Sequence, residues 1–165
     1  MVRRRFTFGT LLATSFMVAL AAAAAYAGGH QISAQAAPYD IAKRGGALVV
    51  SLTNCGLPSS GTMSGTAEGL INGRRQSIPL KLLKTSKRGV YAVTRQWPIE
   101  GTWVLRLESR GPHPVGALVE LRPEHAAAAA GGAPASGVAI ASVRTFYHAV
   151  DASEVETSLR TLASL

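Results

Sequence analysis

Gly101-Thr102-Trp103-Val104-Leu105-Arg106-Leu107-Glu108 is the stretch that decides the fold class of this chain. Apolar and polar side chains alternate through it with a period of two, the spacing of a half-buried β-strand rather than of a helix. Trp103, Leu105 and Leu107 are expected to face inward, and Val104, Arg106 and Glu108 outward. Just upstream, residues 90–96 repeat the pattern, with Tyr91 and Val93 on one face and Arg95 near its end. Trp97-Pro98-Ile99-Glu100-Gly101 turns the chain between the two runs.

Moving outward, residues 66–71 and 74–82 flank Asn72-Gly73, the preferred pair for a two-residue type I′ turn, in which both positions need positive φ. That turn sets Ile71 opposite Arg74 and Ala67 opposite Ile78, and the core side continues through Leu80 and Leu82. Pro79 lacks an amide donor and so marks an edge strand or a bulge. Leu48, Val50 and Leu52 alternate in a further strand, and residues 55–65 read as a loop rich in Gly, Ser and Pro. Residues 84–89 form a basic turn, 110–116 a Gly/Pro loop holding His113, and 117–121 another strand. Near the end, Val143, Thr145 and Tyr147 alternate against Arg144, Phe146 and His148. Asp151 and Glu154 then form a capping box ahead of Val155, Leu159 and Leu162, a short amphipathic helix expected to dock on the sheets. Short strands separated by turn chemistry describe an antiparallel sandwich or barrel. Its core is expected to pack Tyr91, Trp103, Leu105 and Leu107 with Leu48, Val50 and Leu52.

Within this pattern, Gly89-Val90-Tyr91 followed by Trp97 to Leu105 resembles the penultimate hairpin of small exported immunoglobulin-like domains of the YtkA-like and FixH-like type. More loosely it resembles the periplasmic copper-resistance sandwich. In these, a Gly-x-Tyr strand, a turn and a Gly-x-Trp strand follow one another. The resemblance covers residues 47–121 and implies an antiparallel immunoglobulin-like β-sandwich, here with a short C-terminal helix. Some relatives handle copper or assist oxidase assembly. Met63 is the only methionine after residue 27, so a soft-sulfur Cu(I) site is not expected.

The first 27 residues read as a cleaved signal peptide. Arg3, Arg4 and Arg5 form a basic n-region, residues 11–25 an apolar h-region, and Ala25-Tyr26-Ala27 a small-x-small cleavage site. Arg3-Arg4-Arg5-Phe6 touches the twin-arginine pattern, but its flanks fit poorly and the Sec route is preferred. Retention as an anchor is the alternative, although residues 11–27 are short and alanine-rich for a membrane span, and none is expected after cleavage. The chain thus divides into a signal peptide (1–27), an extended N-terminal arm (28–46), a β-sandwich domain (47–123), an Ala/Gly-rich flexible loop (124–137) and a strand plus packed helix (138–165). Periplasmic or secreted localisation follows.

Removing Arg3, Arg4 and Arg5 lowers 17 basic residues to 14 against 9 acidic ones, a net charge of +5. The excess gathers between Lys43 and Arg95, where Glu68 is the only acid. Arg74, Arg75, Lys81, Lys84, Lys87 and Arg88 are therefore expected to form a basic face for an unknown protein or an anionic envelope surface. Export argues against nucleic acid, and no aromatics are interleaved with these cations to stack on bases. Cys55, the single cysteine, is read as a small buried hydrophobe.

Sequence motifs for catalysis are lacking. The histidines at 30, 113, 125 and 148 have no metal-ligand spacing, and Gly61-Thr62-Met63-Ser64-Gly65 places its serine one position late for a nucleophile elbow. One chemical pattern stands out. A chain starting at Gly28 presents Gly28-Gly29-His30, whose α-amine, two amides and imidazole can hold Cu(II) or Ni(II) in a plane of four nitrogens. The reading is an exported, non-enzymatic accessory or binding module with no catalytic residues and no required cofactor. The alternative is a periplasmic Cu(II)/Ni(II) protein using Gly28, Gly29 and His30; a hydrolase with a loop-built site comes third.

Overall fold

The alternation around Trp103 builds β8 (Thr102–Arg110), the middle strand of a five-stranded antiparallel sheet in the computed structural model, which describes residues 29–110, 114–122 and 137–164. Strands β4 (Thr62–Ile71) and β9 (Val115–Arg122) flank it, with β5 (Arg74–Pro79) and β10 (Ala139–Phe146) at the edges, in the order β10-β9-β8-β4-β5. A second antiparallel sheet runs β1-β2-β7-β6, from β1 (His30–Ala36), β2 (Gly46–Asn54), β7 (Val90–Thr94) and β6 (Leu82–Lys84). The two-residue β3 (Leu57–Pro58) adds to the end of β2.

The expected core forms between the sheets. Leu48, Val50, Leu52, Tyr91, Val93, Trp103, Leu105 and Leu107 are all buried in one cluster. Trp103 donates its indole N–H to the Glu100 carbonyl at 2.8 Å, which removes the penalty of burying that donor. Gly69 lies directly across from it on β4. A Cβ at Gly69 would stand 2.4 Å from ring carbons of Trp103, so the indole occupies the space that any larger residue would need. The hairpin register is as expected, Ile71 opposite Arg74 and Ala67 opposite Ile78, with Asn72 at φ 49° and Gly73 at φ 74°. Pro79 sits on the edge strand β5.

Four expectations are corrected. Within the arm read over residues 28–46, the described residues hold β1 and a one-turn helix, α1 (Tyr39–Ala42), before β2 begins at Gly46. Ile32 pairs with Leu52 and is buried, while alanine at 34 and 36 made the period-two signal too weak to see. Val104, expected outward, is fully buried, because a helix covers that face and β8 is enclosed on both sides. The loop read over 55–65 is mostly β3 and the start of β4. Cys55 is exposed, not buried: Asn54 pairs with Leu57, so Cys55 (φ 50°) and Gly56 (φ 77°) are the two central residues of a tight turn.

That helix is α2 (Ala152–Ala163). Asp151 caps it, accepting from the Glu154 amide at 2.9 Å while Glu154 Oε2 accepts from the Asp151 amide at 2.9 Å. The Ser153 hydroxyl and the Glu154 amide hold the Asp151 carboxyl below its ordinary pKa. Val155, Leu159 and Leu162 bury against Val104, Leu118 and Val150. Arg75 on β5 reaches Glu156 at 2.9 Å, and Arg144 on β10 donates to buried Ser158, so side chains from both edges of the sheet hold the helix. Along the opposite seam, Thr145 on β10 donates to the Ile32 carbonyl at 3.0 Å and ties the two sheets together.

The signal-peptide reading, most of the 124–137 loop, Gly28, His113 and His125 lie outside the described residues. Among the described residues, no helix is long and apolar enough to cross a membrane.

Candidate functional site

The outer faces of the two sheets differ. Helix α2 covers Val104 and Leu118 on the β8 sheet, whereas among the described residues α1 and the β6–β7 turn form the two ridges above the β2 sheet. Here β2 turns Val49 and Ser51 outward, β7 turns Val90, Ala92 and Thr94, and β6 turns Leu83, because their alternate neighbours fill the core. Between the two ridges lies a groove of about 640 Å³.

Each ridge has a local cause. At Pro38 the chain starts a single helical turn, its carbonyl accepting from the amides of Ile41 and Ala42. Ile41 lodges against Gly46 at the start of β2, where a Cβ would stand 2.4 Å from Ile41 Cγ2, and this seats α1 over one end of the sheet. Asp40 and Arg44 line the groove from that side. On the other side, the Thr85 hydroxyl donates to the Val90 carbonyl at 3.0 Å and accepts from the Lys87 amide at 3.2 Å. That braces the turn and brings Lys84 and Lys87 to the rim. The site is a partly apolar floor, in which Ser51 and Thr94 lie beside Leu83, Val90, Ala92 and the buried Val49, with three cations and one carboxylate above it.

The six cations read from the sequence are thereby separated. Lys84 and Lys87 join Arg44 at the groove. Arg74 and Arg75 lie on β5 in the other sheet, and Arg75 is paired with Glu68 at 3.3 Å as well as with Glu156. Arg88 donates to the Ser60 hydroxyl at 3.1 Å, and Lys81 lies between β5 and β6 with its amide on Gln96. The sequence reading missed the outward apolar residues Val49, Ala92 and Leu83. Their signal was present, since the strands carrying them are apolar on both faces with only one face needed for the core.

His30 is the first residue of β1, opposite Asn54, with Gly29 just before it. The Gly29 carbonyl accepts from the Cys55 amide at 3.3 Å. In a trans peptide the C=O and the following N–H point opposite ways, so the His30 nitrogen faces away from β2. Successive amides of an extended chain also point to opposite edges, whereas a planar chelate needs the Gly29 and His30 nitrogens on one metal. Such a chelate competes with the first rung of β1. Gly29 packs on the ring of Tyr147, which is exposed just past the end of β10. His148 stands 3.7 Å from Glu154 at the start of α2. Among the described residues, no three His, Cys, Asp or Glu side chains gather to hold a metal ion. Ser64 lies in the extended strand β4, beside Arg106 and Glu108 in a shallow hollow, and not at a sharp strand-to-helix turn.

Comparison of the chain with protein-family models, with curated proteins and with solved structures finds no match in any of the three.

Proposed function

We propose that this chain is an exported, non-enzymatic binding module on an immunoglobulin-like β-sandwich, and that it works through the groove on the β2 sheet. The strand order supports the immunoglobulin-like reading. β1-β2-β7-β6 facing β5-β4-β8-β9 follows the A-B-E-D and C′-C-F-G arrangement of such sandwiches, with β10 and α2 as additions. Export rests on the basic, apolar and small-x-small segments of residues 1–27.

One observation carries the functional reading: helix α2 covers the outward apolar residues Val104 and Leu118 of the β8 sheet, while the β2 sheet keeps Leu83, Val90 and Ala92 at least partly exposed under a rim of Arg44, Lys84 and Lys87. Concave, partly apolar surfaces with a few convergent polar groups are where proteins hold ligands. Hydrogen exchange of the chain with and without an extract of its own cell envelope tests the proposal. Protection is expected at residues 40–44 and 83–92. Protection confined to β5 or α2, or no protection anywhere, overturns it.

A further inference from the structure

We infer that the groove binds an amphiphilic anion, its alkyl body over Val90, Ala92 and Leu83 and its anionic head between Arg44 and the Lys84–Lys87 pair. This rests on the groove being the working surface and adds the chemical class of what it takes.

Charge supplies the first argument. Three cations and one acid, Asp40, line the groove. Among the described residues, neither Arg44 nor Lys84 nor Lys87 has a carboxylate within 4 Å, whereas Arg75, Arg106, Arg144 and Arg160 each do. Other cations, Arg74, Lys81 and Arg88 among them, share that lack of a carboxylate, but these three line one groove, and an anion placed there is attracted by all three. The floor supplies the second argument. Leu83 is 43 % exposed, although its neighbour Leu82 packs on the core, and it pairs with Ala92 and lines the groove with Val90. A ligand that only neutralised the rim would leave the exposed Leu83 and its neighbours in water, whereas an alkyl chain laid on them removes that surface from water.

Shape and chain geometry select among occupants. The volume of about 640 Å³ is that of a small-molecule site. A second copy docking the same face across a two-fold axis would bring Arg44, Lys84 and Lys87 against their own duplicates. A peptide added as a strand on the Leu83 side of the groove would have to pair with the edge strand β6, which is three residues long. A flat bilayer would meet the two ridges and miss the floor between them.

Calorimetric titration of the folded chain tests this with decanoate, decanol, inorganic phosphate and phosphatidylglycerol vesicles. Decanoate is expected to bind at one site. Decanol, which lacks the charge, and phosphate, which lacks the chain, should each bind at least about tenfold more weakly. Lys84→Glu/Lys87→Glu and, separately, Ala92→Phe should each weaken decanoate at least about tenfold, with Arg44→Glu as an independent charge variant should either fail to fold. Decanol or phosphate matching decanoate, variants binding as well as the parent, or binding to vesicles without binding to decanoate overturns the inference. Envelope extract that protects residues 40–44 and 83–92 while decanoate fails to bind removes the amphiphile and leaves the groove as the working surface.

Discussion

Gly69 and Trp103 form a lock whose strength can be worked from the structure. Placing a methyl at 69 sets a carbon 2.4 Å from Cε3 and Cζ3 of the indole. Carbon atoms rest at about 3.5–4.0 Å, so more than an ångström of overlap has to be relieved. The ring cannot retreat, being 3 % exposed and tied to the Glu100 carbonyl. Gly69→Ala should therefore destabilise by about 1–3 kcal/mol, the usual range for overpacking, although alanine is otherwise preferred to glycine in a strand. Trp103→Leu removes the obstruction, and by itself should cost about 2–4 kcal/mol through the cavity it leaves and the unpaired Glu100 carbonyl. In the double variant the new methyl enters space that the indole has vacated. Its cost should be that of Trp103→Leu alone or less, a coupling of about 1–2 kcal/mol between the sites. Urea unfolding measures this directly: with a slope of about 1–3 kcal/mol per molar, Gly69→Ala should lower the midpoint by about 1 M at unchanged slope. Additivity within about 0.5 kcal/mol would refute the reasoning, because it would mean the ring never confined residue 69.

Leu159→Ala should destabilise by about 2–4 kcal/mol in the same assay, since Leu159 is buried on Val104 and Leu118; a change under about 0.5 kcal/mol would mean α2 is not part of the cooperative unit. Asp151→Ala should lower the melting temperature at neutral pH by removing the cap. Because the Ser153 hydroxyl and Glu154 amide depress the folded pKa of Asp151, its contribution is present above the unfolded value and fades as pH falls through the folded one. The two proteins should thus converge in stability in acid, and a gap that stays constant with pH would contradict the cap. A chain beginning at Gly28 should bind Cu(II) through the amine, two amides and His30, releasing protons and hastening hydrogen exchange at the Cys55 amide that pairs with Gly29. His30→Ala, or one residue added ahead of Gly28, should abolish this, and copper binding with the Cys55 amide equally protected would place the ligands elsewhere.

What the sequence made legible was periodicity with strong side chains behind it. Trp103, Leu105 and Leu107 announced their face, Asn72-Gly73 fixed a register, and Asp151 with Glu154 marked a helix start. Where the same signals were carried by small residues they vanished: Ala34 and Ala36 are in strand β1, but alanine has too little apolar surface to mark a face. Val104 misled for the opposite reason. Alternation tells which side chains lie together but not whether a second layer covers the other face, and only the tertiary position of α2 settles that. The groove was half legible. Lys84 and Lys87 stood out as charge, but proximity along the chain grouped them with Arg74 and Arg75, while Arg44, some forty residues upstream, arrives at the rim only through the pairing of β2 with β7.

The Thr145–Ile32 bond joins positions 113 residues apart, and that separation has a consequence in time. Contacts between distant positions form slowly, because a long loop must close before anything rewards its closure. β1 can pair with β2 as soon as residue 54 is available, but its outer side waits for residues 139–146. A chain halted after Arg122 would leave the outer edge of β9 unpaired, the Ile32 carbonyl on the edge of β1 without Thr145, and the Val104–Leu118 surface uncovered. Open edges of that kind pair readily with other copies. The final quarter of the chain therefore protects the earlier strands from self-association, and interruption of synthesis or proteolysis just past Arg122 should yield aggregates rather than a smaller working domain.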